Sequence, residues 1–203
     1  LVNWVFVFLR GFAVAFVVFG GLILHFFLRI FEVLFLTSQR STTQYLTQVI
    51  CRTSLFLLGI SLKVRGAPMI ERGAVVANHS SWLDIFALNA TQKIYFVAKS
   101  EVANWPGIGW LARATGTVFI QRNALQARKQ KVVFTERLQV GHKLLFFPEG
   151  TSTDSLRVLP FKSSLFAAFF EMNVPQDLFI QPVTVIYHAP NAVSYTHLRA
   201  HET

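Results

Sequence analysis

The chain has 203 residues, of which 53% are hydrophobic and 21 are Phe, and it carries a formal charge of +9. This is too apolar for an ordinary soluble domain and too interrupted by charge for a polytopic transporter. One cysteine, Cys51, excludes an internal disulfide and a thiolate metal cage, and no basic run with interleaved aromatics points to nucleic acid.

Residues 1–36 are mostly apolar, with Asn3, Arg10, His25, Arg29 and Glu32 as interruptions, and Gly11 to Leu24 carries no charge. A spanning helix needs roughly 20 mainly apolar residues. Val2 to Leu24 meets that length if Arg10 snorkels to the interface. A pair of interfacial helices hinged at Gly20-Gly21 is the other reading. No small-x-small site follows the run, which argues against a cleaved signal peptide. The segment is expected to be a membrane anchor, and the basic balance then suits an anionic lipid surface.

Residues 37–192 read as a second unit. Thr42 to Gly59 has helical periodicity, with Tyr45, Leu46, Val49 and Ile50 on its apolar side and Cys51 as packing. Beyond it, short apolar runs alternate with helical stretches. Strands are expected at Ile60–Val64, Ala74–Ala77, Ile94–Ala98, Thr117–Ile120, Lys143–Phe147 and Phe179–Ile186. Helices are expected at Ser81–Asn89, Glu101–Trp105, Ile108–Thr115, Ala124–Val140 and Ser163–Met172. The alternation predicts an α/β domain: a largely parallel mixed sheet flanked by helices. Val193 to Thr203 resembles a translated sequencing adaptor and is set aside from the fold, His197 and His201 with it; the domain is expected to be truncated near Ala192.

Two polar islands follow apolar strands, where sites form in parallel sheets. The first is Asn78-His79-Ser80-Ser81-Trp82-Leu83-Asp84. Ser81 and Asp84 fit a variant capping box, with Ser81 as N-cap and Asp84 in the first turn. His79 then lies outside the helix and can fold back on the Asp84 carboxylate. A base held by a carboxylate is what a hydroxyl needs to become a nucleophile. Backbone N–H groups near the helix start, or that of Gly150, are candidate oxyanion donors. The second island is Phe147-Pro148-Glu149-Gly150-Thr151: Glu149 can accept from hydroxyls, Gly150 permits close approach and Thr151 can donate. Arg122, after the strand Thr117–Ile120, can clamp a phosphate, and Lys99, Glu101 and Lys162 are weaker candidates of the same kind. His25, His142 and His188 lack partners at useful spacing and read as structural.

His79-x4-Asp84, Gly116-x2-Phe119-Ile120-x-Arg122, Phe147-Pro148-Glu149-Gly150-Thr151 and Gln181-Pro182-Val183 resemble, in order, the four blocks of the glycerophospholipid acyltransferases of PlsC type. The resemblance covers roughly Leu62 to Tyr187. It implies a membrane-associated α/β enzyme of phospholipid biosynthesis taking acyl groups from acyl-CoA or acyl carrier protein, with no metal or bound cofactor. His79 would be the general base and Asp84 its orienting partner. Arg122 and the Glu149-Gly150 block would hold a glycerophosphate acceptor, and Lys99 and Glu101 match a Lys-x-Glu element. The acceptor implied first is 1-acyl-sn-glycerol 3-phosphate. Many phosphate-acceptor members have Arg after the Thr of the third block, where this chain has Ser152 followed by Thr153 and Asp154. That variant resembles members acting on lyso-ornithine lipid, whose acceptor has no phosphate. The expected location is a bacterial inner membrane, with the catalytic unit on the cytoplasmic side. A hydrolase using His79 with water and a non-enzymatic lipid-binding scaffold are the other readings; no G-x-S-x-G elbow supports a serine esterase.

Overall fold

The computed structural model describes residues 4–36, 40–121, 124–154, 156–162 and 178–188. Helix α1 runs unbroken from Trp4 to Phe31 and passes into a π-helical turn, Glu32–Leu36. At 1.5 Å per residue α1 is about 42 Å long, more than the roughly 30 Å of a bilayer's hydrocarbon. By length and composition Trp4–Phe35 could cross a membrane, and its outward side chains, among them Phe8, Phe12 and Phe16, are exposed.

The hinge at Gly20-Gly21, the other reading of this segment, is absent from the continuous helix. Gly21 instead lets α1 lie against helix α2 (Ser41–Leu57): a Cβ at this position would collide with the side chain of Ile50. Further along, His25 Nε2 meets Thr47 Oγ1 at 3.3 Å. Glu32 then accepts from the N–H groups of Thr42 and Thr43 at 2.7 and 2.9 Å and from Thr43 Oγ1 at 2.9 Å. These contacts make α1 and α2 an antiparallel pair. Glu32 also supplies the cap that Arg40, at φ 56° with no side-chain bond to the start of α2, does not.

Five strands form one sheet in the order β3-β2-β4-β1-β5. They are β1 (Gly73–Ala77), β2 (Tyr95–Lys99), β3 (Val118–Ile120), β4 (Lys143–Phe146) and β5 (Phe179–Val183). Every pairing among the described residues is parallel, as a largely parallel sheet requires. The central strands bury both faces, as their continuous apolar runs require. Ala74, Leu144 and Phe146 pack with Phe134 and Leu138 of α5 (Ala124–Gln139) on one face. Val75, Ala77 and Leu145 pack with Leu88 of α3 (Leu83–Thr91) on the other. Each such fully buried Leu or Phe contributes about 1.5–3 kcal/mol through its apolar area. Cys51 is buried with Leu55 and Ala90 where α2 meets α3, and burial pushes its thiol up to about 12.

Three expectations are corrected. Ile60–Val64 is no strand: β4 and β5 occupy both sides of β1, and the segment crosses the surface as exposed, irregular chain. Glu101–Trp105 is a 3-10 turn, Ser100–Asn104, leading into α4 (Ile108–Ala114). The last strand stops at Val183 rather than Ile186, because the backbone of Val185 bonds to the side chain of Asn78 instead of to a neighbouring strand. The helix expected at Ser163–Met172 and the tail from Val193 lie outside the described residues.

Candidate active site

Strand β1 ends at Ala77, and the chain turns through Asn78, His79 and Ser80 before α3 begins. Asp84, in the first turn of α3, is fully buried. Its Oδ2 accepts from the N–H groups of Ser80 and Ser81 at 2.7 and 3.0 Å, and Ser81 Oγ accepts from the Leu83 N–H at 3.2 Å. The reciprocal Ser81–Asp84 bonding read from the sequence is therefore present, although α3 begins at Leu83 and Trp82, not Ser81, holds the cap position. That bonding pins the turn that carries His79.

His79 Nδ1 lies 2.8 Å from the same Oδ2. That oxygen already accepts two backbone N–H bonds, so it faces Nδ1 as an acceptor, and Nδ1 carries the proton. Nε2 is left with the lone pair of a base. Burial alone would push the Asp84 carboxyl up. Hydrogen bonds from His79, the Ser81 N–H, Tyr187 and the Ser80 N–H outweigh it and hold the carboxyl below the usual carboxylate range. The His79 ring stacks on Phe147, with centroids 4.1 Å apart and planes inclined by 13°. Its side chain is 20% exposed, against 0% for Asp84. The imidazole thus has one nitrogen tied inward, one face covered and an outer edge in reach of a substrate.

Phe147 begins the second island, and sheet order brings the two islands together. β4 is hydrogen-bonded to β1, and in a parallel pair both carboxyl ends open on one edge. Two further bonds close the loop: Gly150, at φ 71°, donates to the Phe147 carbonyl at 3.0 Å, and Thr153 N–H donates to the His79 carbonyl at 2.8 Å. Glu149 is buried, and its Oε2 accepts from the Leu159 N–H at 2.9 Å. That oxygen ties down the following loop. Likewise the N–H groups of Ser80, Ser81 and Gly150 are engaged within the site, so these candidate oxyanion donors already have partners.

The remaining candidates spread along the edge. Thr151 and Lys162 are exposed, and the Lys162 N–H donates to the Pro148 carbonyl at 2.8 Å. Lys99 and Glu101 are exposed at the end of β2, two strands from β1. Arg122 lies outside the described residues, two positions beyond the end of β3. The segments that follow the two islands and β5 expose apolar side chains, among them Trp82, Leu156, Val158, Phe161 and Ile186. Among the described residues no group of His, Cys, Asp and Glu is placed to hold a metal.

One site residue escaped the sequence reading. Tyr187, beyond β5, donates its phenol O–H to Asp84 Oδ1 at 2.6 Å. No local pattern marks it, since 103 residues separate the pair.

A His–Asp dyad at the carboxyl edge of a parallel sheet is consistent with what the comparisons find. The acyltransferase family model matches residues 61–186, and the chain belongs to that family. It is 55% identical over 182 residues to a lyso-ornithine lipid O-acyltransferase of Rhodobacter capsulatus, covering 90% of this chain and 66% of the relative. It is 43% identical over 116 residues to a 1-acyl-sn-glycerol-3-phosphate acyltransferase of Neisseria gonorrhoeae, covering 56% of this chain and 46% of that one. The chain thus spans between about half and two thirds of the length of these relatives. Its fold matches the crystal structure of the 1-acyl-sn-glycerophosphate acyltransferase PlsC from Thermotoga maritima. The TM-score is 0.62 at 22% identity, over 90% of this chain and 82% of that one.

Proposed function

We propose that this chain is the catalytic portion of a membrane-attached O-acyltransferase that esterifies the free hydroxyl of lyso-ornithine lipid. The observation that carries the reaction class is His79, with Nδ1 bonded to buried Asp84 and its side chain 20% exposed in the turn after β1. Nε2 takes the proton of the acceptor hydroxyl as its oxygen attacks the thioester carbonyl. A C–O bond forms, the C–S bond breaks, and the departing thiolate recovers the proton from the imidazolium. Asp84 stabilises that imidazolium in a site where charge is poorly screened. This route uses acyl-CoA or acyl carrier protein as the only co-substrate. It places the unit on the cytoplasmic face of a bacterial inner membrane, where those donors are made.

The sequence alone put 1-acyl-sn-glycerol 3-phosphate first. Two observations favour lyso-ornithine lipid instead: the 55% identity to the Rhodobacter relative, and Ser152-Thr153-Asp154, which lacks the Arg that many phosphate-acceptor members carry after the third block. The phosphate acceptor stays as second reading because the Neisseria relative is 43% identical and Arg122 and Lys162 are present.

The test supplies membranes containing the full-length protein with labelled acyl donor and both lysolipids side by side. His79-dependent ornithine lipid is the expected product. Phosphatidic acid alone would move the acceptor to the second reading. Thioester loss with no acylated lipid would replace the transferase by a hydrolase.

A further inference from the structure

Tyr187 lies one residue past the segment matched by the family model and belongs to neither polar island. Its contact is specific. Three donors, His79 Nδ1, Ser80 N–H and Ser81 N–H, converge on Asp84 Oδ2 at 2.7–3.0 Å. Tyr187 alone among the described residues donates to Oδ1, at 2.6 Å.

How the phenol arrives there is also built. β5 pairs with β1 up to Ala77 and Val183. The side-chain amide of Asn78 then takes over: its Oδ1 accepts from the Val185 N–H at 2.7 Å, and its Nδ2 donates to the Val185 carbonyl at 3.0 Å. Val185 packs against the core cluster under β1. The residue directly before the base therefore anchors the strap that delivers Tyr187 to the base's carboxylate. Tyr187 itself is 40% exposed, so its ring fills no core space and its position is explained by the hydroxyl.

We propose that Tyr187 is a positioning residue for acyl transfer: its O–H fixes the Asp84 carboxylate and tempers the charge that Asp84 presents to His79. The inference rests on the acyltransferase reading and adds a residue to it. Burial, together with the hydrogen bond to Asp84, pushes the phenol upward, so it stays a proton donor across the working pH range. The titratable groups facing Asp84 are His79, from the turn after β1, and Tyr187, from the strap after β5. Removing the phenol O–H concentrates charge on the carboxylate and favours the imidazolium, which is inactive as a base. The acidic limb of the rate profile must then move to higher pH. It also frees Oδ1, so the carboxylate can turn and the imidazole loses its fixed direction.

The test compares wild type, Tyr187→Phe and a protein with 3-fluorotyrosine at position 187 in membranes, with His79→Ala alongside. For Tyr187→Phe, kcat should fall about 10-fold with both KM values within about two-fold, the scale of one lost charge-assisted hydrogen bond. The acidic limb of kcat/KM should rise by about half a pH unit. The fluorinated phenol, a stronger donor of the same shape, should move that limb the other way. A folding defect cannot produce opposite shifts. Wild-type kcat and an unmoved limb in Tyr187→Phe would overturn the inference, as would an unmoved limb in the fluorinated protein should the Phe variant not fold. Transfer surviving in His79→Ala would instead sink the acyltransferase mechanism, so the two failures are distinguishable.

Discussion

Glu32 and Asp84 are both buried carboxylates, 1% and 0% exposed, and each binds backbone N–H groups at the start of a helix. Each also takes two side-chain donors: Arg29 and Thr43 for Glu32, His79 and Tyr187 for Asp84. Burial and hydrogen bonding alone do not separate a structural carboxylate from a catalytic one. The difference lies in what the donors can do next. Thr43 ties Glu32 to α2, Arg29 pairs with it from the end of α1, and neither offers a lone pair that a substrate can use as a base. His79 keeps a second nitrogen free of Asp84, in a side chain that is 20% exposed.

The comparison breaks most sharply at His79. His79→Ala should lower acyl transfer by about 10³- to 10⁴-fold, the upper range for a general base, while its Tm stays near wild type. Activity should be measured per folded molecule, with circular dichroism as control. The ring beneath it should matter less. Phe147→Ala removes the face on which the imidazole stacks, and kcat should fall about 10-fold through misorientation, with some stability lost as well.

Acid should act on the Asp84 side with a defined sign. The carboxyl is held below its usual range in the folded protein, so its bonds add stability that is fully present above the unfolded carboxylate range. That contribution is lost as pH falls through the lower folded value. Thermal unfolding from pH 7 to pH 2 should show wild type and Asp84→Asn converging only at the acid end; a gap independent of pH would contradict this. The smallest effect belongs to Cys51, whose buried thiol is pushed up to about 12: in the folded protein it should resist maleimide at pH 8 and react after denaturation.

The dyad was legible because its logic is local. Five residues, a capping pattern and a preceding apolar strand suffice to bring His79 to Asp84. β1 and β4 were legible too, as apolar runs ending in polar islands. Sheet order was not: nothing in a single sequence puts β4 and β5 on either side of β1. That order keeps Ile60–Val64 from pairing with β1, and it delivers Tyr187 to Asp84 from 103 residues away. Glu149 was legible in part. Its charge after an apolar run marks a site, but only the structure shows its Oε2 bonded to the Leu159 N–H.

The most direct measurement sets Asp84→Asn beside Glu32→Gln, each assayed for acyl transfer per folded molecule and for Tm. The account predicts opposite profiles. Asp84→Asn should lose about 10³-fold in kcat, since an amide no longer holds His79 Nδ1–H as a carboxylate does. Glu32→Gln should lose about 2 kcal/mol of stability and keep kcat within about two-fold. Equal losses of kcat in the two variants would contradict the claim that Asp84, and not burial of a carboxylate as such, makes His79 the base.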